Sequence, residues 1–320
     1  MRTRLIALIP FVFVLLWSTG FVGAKYGLPH IEPFFMLALR FGIAIAVFAA
    51  IAVVLRNRPL PARQALGQML VGCLLHAAYL GGVFFAIKSG LPAGIVAVIV
   101  GIQPILTAIF GRIWLAQEVN GRQTFGLVLG FAGIALVVGG AAGFGEATNW
   151  PGLIASGVAL VGISAGTIVQ KQIGADTPIL VGTMYQYIGA GVAMTALTFF
   201  VETQTVDFQP SLIAAMLWLV FGLSVSATLL LMLMVRQGEV SKVASYFYLV
   251  PPVTVLETWY LFGEKLSSVT ILGGILTVIA VYLVAGAKPE TKAGVMRMRN
   301  RIINPPHSFI RSPLSPFSTQ

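Results

Sequence analysis

Ten runs of about 20 apolar residues follow one another along this chain of 320 residues, joined by short polar connections. They fall at roughly 5–23, 33–55, 67–87, 91–115, 123–141, 152–171, 179–201, 211–235, 241–262 and 268–286. A helix of that length crosses the hydrocarbon of a bilayer with its backbone groups bonded to one another, which few other structures achieve. Composition agrees: 58% of residues are hydrophobic, 9% are charged, and the mean hydropathy is +0.93. The expected fold class is therefore an all-α integral membrane protein with ten transmembrane helices. The first run, with Arg2 and Arg4 before it and FVGA at 21–24 inside it, also fits a signal peptide. It is kept as a span because a later segment matches it.

A net charge of +10 would ordinarily raise nucleic acid as a partner, but the positions of the charges argue otherwise. With the N-terminus in the cytoplasm, 16 Lys and Arg fall on the inner side and only Lys25, Lys88 and Lys265 on the outer, with Arg40 left inside a span. The positive-inside rule predicts that bias for two cytoplasmic termini, so the basic excess is topological and no nucleic acid is expected. From Lys288 onward the chain turns basic and rich in Pro and Ser, which predicts a disordered cytoplasmic tail over 288–320. Arg297, Arg299 and Arg301 there either meet anionic membrane lipid or simply stay solvated. One cysteine, Cys73, and three scattered histidines offer no disulfide framework or spaced metal ligands, so neither a metal nor another cofactor is expected.

The chain repeats itself. Residues 104–139 superpose without a gap on 251–286 at a shift of 147, pairing Pro104 with Pro251, Thr107 with Thr254 and Gly126 with Gly273. Upstream, at a shift of 146, Ser18, Gly20 and Lys25 fall on Ser164, Gly166 and Lys171. Five spans per repeat is an odd number, so residues 1–145 and 146–287 are expected to enter the membrane in opposite directions. Inverted repeats are characteristic of carriers that open one site alternately to each side. Two repeats in one chain remove the need for dimerisation, so a functional monomer is expected.

LLWSTGFVGAKYGLPHIEPFFMLALRFGIAI at 15–45, the paired Pro104 and Pro251 helices, and the endings LAQE at 115–118 and FGEK at 262–265 resemble the EamA-type family of the drug/metabolite transporter superfamily. The resemblance covers about residues 5–286. It implies a bacterial inner-membrane carrier, usually an exporter of amino acids or other small metabolites. It also implies a central cavity between spans 1–4 and 6–9, with spans 5 and 10 as outer supports. Where the family pattern has Gly-Glu, the first half carries Ala116 and Gln117.

Ionisable and polar groups inside spans are costly and mark candidate sites. Arg40 lies too deep to reach the surface easily, and meets either a substrate carboxylate or an internal acceptor. His76 and Tyr79 share a helix face and serve substrate, proton or packing. Glu257 falls close to Tyr246 and opposite Tyr248 on a helical wheel, and is either a proton or substrate group or a structural partner for a neighbouring helix. Its counterpart in the first repeat is Phe110, so it belongs to one half only. Trp17 with Ser18, Gln103, Tyr185 with Gln186, Tyr246 and Tyr248 complete the candidates for an apolar wall with a few polar handles. Pro104, Pro251 and Pro252 are expected to kink their spans, as gating bends or as packing features.

No phosphate loop for ATP drive and no HExxH helix is present in the sequence, and no enzymatic activity is expected. The reading is a secondary active exporter of a small metabolite working by alternating access, with proton coupling through Glu257 or His76 as one option. The alternative is a channel or passive facilitator for a small solute.

Overall fold

The computed structural model describes residues 2–91, 96, 99–142, 149–238, 240–262 and 267–286. Residues 1–287 form one compact unit. The tail 288–320, Pro92, and the Gly263, Glu264 and Lys265 of the second family ending lie outside the described residues.

Every element within the described residues is helical, apart from an isolated bridge between Ile31 and Val206. In chain order they are α1 (Arg2–Gly27), α2 (Pro33–Val54), α3 (Ala62–Gly72) and α4 (Tyr79–Lys88), α5 (Gln103–Leu115), α6 (Gly121–Ala142), α7 (Trp150–Ile173), α8 (Ile179–Val201), α9 (Pro210–Trp218) and α10 (Thr228–Gln237), α11 (Val240–Ser245), α12 (Val250–Phe262) and α13 (Ser268–Ala285). A π-helical segment, Cys73–Ala78, joins α3 to α4, and another, Leu219–Ala227, joins α9 to α10. Both runs are therefore continuous.

Among the described residues, seven helices are long and apolar enough to cross a membrane: Pro33–Val54, Ala62–Lys88, Gly121–Gly139, Trp150–Ile173, Ile179–Val201, Pro210–Gln237 and Ser268–Ala285. The other three of the ten expected spans have identifiable differences. In α1, a helix of 26 residues, the apolar part among the described residues is Leu8–Ala24. The fourth and ninth are divided near their prolines. Pro104 sits in the first turn of α5, just after a turn at 101–102. Pro251 and Pro252 open α12 after a 3₁₀ turn, Tyr246–Leu249. Proline lacks an N–H and suits the first helical turn, so each helix restarts there instead of running through.

Large side chains face outward along these helices, with Phe200 89% exposed and Phe199 and Tyr282 71% each, as an apolar solvent permits. Among the described elements, α6 and α13 share the most extensive contact. A Cβ on Gly273 would collide with the backbone of Gly133 and Val137, so this small residue lets the two backbones touch. The main core lies elsewhere, around Phe13, Phe41, Phe48, Ile163 and Tyr187. This separation leaves α6 and α13 beside the bundle that holds the polar residues.

Candidate functional site

The deepest polar residues converge where α2, α8 and the second π-helical segment meet. Arg40 is only 4% exposed, and its Nε donates to Ser224 Oγ at 2.8 Å. A π-helix widens the turn and leaves carbonyls for side chains to satisfy. Tyr187 accordingly donates to the Ser224 carbonyl at 2.9 Å and also meets Thr228 Oγ1 at 2.9 Å. Thr228 in turn donates to the Leu223 carbonyl at 3.1 Å. The Tyr187 ring stacks on His76, with centroids 4.7 Å apart and planes 17° from parallel, and Phe41 and Phe48 pack on it from α2.

Trp17, Arg40, His76, Tyr79, Phe84 and Tyr187 border one small cavity of about 40 Å³. That is room for about one water molecule and far below the ~300 Å³ at which ligand pockets begin, so the site is constricted in this conformation. Four of the residues singled out from the sequence, Trp17, Arg40, His76 and Tyr79, are thus brought to a common wall. Among the described residues no carboxylate pairs with Arg40, and its one hydrogen-bond partner is neutral. The Nε2 of His76 has no hydrogen-bond partner, although the Gln186 amide lies beside the ring.

The remaining candidates sit apart from that cavity. Tyr248 is fully buried against α6, donating to the Leu127 carbonyl at 2.8 Å, and its ring occupies the space a Cβ on Gly130 would take. Tyr246, in the same 3₁₀ turn, packs at the margin of both cores. Gln103 is buried at the start of α5, where Nε2 donates to Thr107 Oγ1 at 3.1 Å and Oε1 has no partner. Glu257 meets α1 instead, with Oε1 2.6 Å from Ser18 Oγ. Pro104, Pro251 and Pro252 mark helix starts, as described above.

The two ends of the bundle differ. At the end carrying residues 28–33, an open vestibule of about 500 Å³ is bordered by His30, Glu32, Lys88 and Asp207, and Phe84 forms part of both its wall and that of the inner cavity. A strap, residues 202–207, closes over this end. The Glu202 carboxylate accepts the backbone N–H groups of Phe34 and Phe35 at 2.8 and 2.7 Å, capping α2 behind Pro33. Glu32 reciprocates, accepting from the N–H of Thr203 and Thr205 and pairing with Lys88 at 3.3 Å. Partial burial pushes the Glu32 carboxyl up, but the donors from Thr205, Lys88 and Thr203 outweigh it and hold the group below the usual range. At the opposite end, Gln186 of α8 donates to Gln68 of α3 at 2.7 Å and to Gln170 of α7 at 3.1 Å. Gly72 makes this junction possible, because any Cβ there would overlap the Gln186 backbone.

Sequence reading missed Tyr187, Ser224, Gln68 and Gln170.

Apolar helices long enough to span a membrane and a small aromatic-walled cavity around a buried arginine define a polytopic membrane bundle with a polar centre. The profile of the EamA-like transporter family matches residues 4–139 and again 150–286, so the chain belongs to that family. It is 26% identical over 301 residues to an uncharacterized transporter, YvbV, of Bacillus subtilis, covering 94% of this chain and 97% of the relative. It is 27% identical to the uncharacterized inner membrane transporter YedA of Escherichia coli K12, covering 87% of this chain and 90% of that one. A probable amino-acid metabolite efflux pump of the same organism is 24% identical, covering 84% and 91%. One solved crystal structure has the same fold at a TM-score of 0.75 and 21% identity, covering 88% of this chain and 96% of the other.

Proposed function

We propose that this transporter is a secondary active exporter of a small carboxylate-bearing metabolite, such as an amino acid or a related amphipathic compound. The single observation that carries the reading is Arg40. A buried guanidinium without a described carboxylate partner is expensive to keep, and a carboxylate is the ligand its planar fork fits best. The aromatic wall of Trp17, Tyr79, Phe84 and Tyr187 suits the apolar body of such a compound.

The cycle is alternating access through this cavity, in a bilayer, by a monomer. Residues 1–145 and 146–287 act as inverted repeats of five spans each. Three observations support that division. The family profile matches twice, the two π-helical segments fall at corresponding places under the repeat shift, and contacts recur reciprocally, α5 on α7 being echoed by α12 on α1. In this reading both termini are cytoplasmic in the inner membrane, the vestibule faces outward, and the glutamine junction closes the inner side. The kinks at Pro104 and at Pro251 and Pro252 are the bends about which the helices move.

The test compares intracellular and extracellular metabolites in cells that overproduce or lack the protein, followed by exchange of the identified compounds in proteoliposomes. Export of at least one carboxylate-bearing compound is expected. Accumulation confined to compounds without a carboxylate contradicts the reading.

A further inference from the structure

Ser18 is fully buried on α1, and its Oγ serves two oxygens: Leu15 O at 2.9 Å and Glu257 Oε1 at 2.6 Å. Thr254, on the turn of α12 before Glu257, donates to the Ser18 carbonyl at 3.4 Å, so the carboxyl is held within a cluster of oxygens between the two helices. The other carboxyl oxygen, Oε2, is buried with no partner. The elements packed against α12 are α1, the 3₁₀ turn, α6 and α13, and their described titratable or charged groups are Tyr26, Tyr246, Tyr248, Arg122 and Tyr282. None of them bonds to the carboxyl. Tyr248 is committed to Leu127, and Arg122 stands over the Tyr282 ring.

A serine hydroxyl has a single hydrogen, and here two acceptors ask for it. With Glu257 ionised, one contact lacks a hydrogen and a charged Oε2 is buried without a donor, at a cost that no cation among the described residues offsets. With Glu257 protonated, both contacts close at once: the acid donates to Ser18 Oγ, and Ser18 donates to the Leu15 carbonyl. Oε2 is then the weaker acceptor of a neutral acid.

We propose that Glu257 is a proton-binding site, loaded in the conformation seen here, and that losing the proton loosens the contact between α1 and α12. The proton leaves to water, the Ser18 hydrogen turns from Leu15 to the carboxylate, and the unpaired Oε2 draws water into the contact. Because the two conformations then differ by one bound proton, a proton gradient shifts their populations. That makes Ser18 and Glu257 the coupling site of the transport cycle, a role that rests on the transporter reading above. Glu257 belongs to one repeat only, its counterpart being Phe110, so the two conformations do not present equivalent proton sites.

The titration is read without substrate, so it succeeds or fails independently of what Arg40 binds. Full-length protein in lipid vesicles is followed by infrared difference spectroscopy from about pH 5 to about pH 9, the interval that buried carboxyl groups can reach. The wild type should lose a protonated-carboxyl C=O band that Glu257→Gln lacks. Backbone hydrogen exchange in α1 and α12 should rise at the same midpoint, and should stay flat in Glu257→Gln, which keeps the neutral shape. In Ser18→Ala the band should move, because the acid has lost its acceptor. If no band depends on Glu257, if the band persists across the whole range, or if exchange ignores its loss, the proposal is overturned.

Discussion

Arg40 and Tyr187 reach the same residue from two helices: Arg40 donates to the Ser224 side chain at 2.8 Å, and Tyr187 donates to the Ser224 carbonyl at 2.9 Å. Both contacts fall on the second π-helical segment, Leu219–Ala227. A cavity between them carries one positive charge and no described negative one, and its chemistry follows from that imbalance.

Keeping an unpaired guanidinium buried costs stability, and removing it should return some. Arg40→Met is expected to raise the thermal unfolding midpoint in detergent, by the equivalent of about 1 kcal/mol or more. A lower midpoint would mean that Arg40 is a structural clamp.

Tyr187→Phe keeps the stack on His76 but leaves the Ser224 carbonyl without its donor. A buried acceptor left unsatisfied costs about 1–3 kcal/mol, which thermal or denaturant unfolding in detergent should show. Tyr248→Phe should cost a similar amount through Leu127, with exchange activity per folded molecule unchanged, because that ring packs against α6 and away from the cavity.

Much of this site was legible in the chain. Trp17, Arg40, His76 and Tyr79 stood out because polar and aromatic groups are conspicuous in apolar runs, and they line one cavity. Tyr187 and Ser224 did not stand out, since their work is to satisfy carbonyls freed by a π-helical segment that no residue pattern announced. Tyr246 and Tyr248 were separated by their phase on a helical wheel, but the 3₁₀ turn that sets their actual directions depends on the prolines that follow. The same prolines explain why the fourth and ninth apolar runs, continuous in composition, are divided in space. The cluster of Gln68, Gln170 and Gln186 was invisible because it joins three distant segments.

Ala116 ends α5 with φ 51° and ψ 30°, the left-handed conformation that glycine adopts freely, at the place where the family pattern has Gly. An alanine there costs about 1 kcal/mol relative to glycine. Ala116→Gly should therefore stabilise the protein by about that amount in an unfolding titration, without altering transport.

The strap over the vestibule should be acid-labile. The folded Glu32 carboxyl is held below its ordinary value, so its contribution is complete above the unfolded carboxylate range and is lost as pH falls through the lowered folded value. Hydrogen exchange at Thr203 and Thr205 should accelerate on acidification, and Glu32→Gln should show the faster exchange already at neutral pH.

The central claim, that Arg40 receives a carboxylate, is tested most directly by counterflow in proteoliposomes. The wild type and Arg40→Met would be loaded with an unlabelled carboxylate-bearing compound that cells export through the protein, and challenged with its labelled form. A charge-assisted bond of about 1.5–3 kcal/mol predicts that exchange falls by a factor of roughly 10 to 150 in Arg40→Met, while the amide of the same compound, which has lost the charge, discriminates little between the two proteins. Equal exchange of the carboxylate by both proteins would contradict the account.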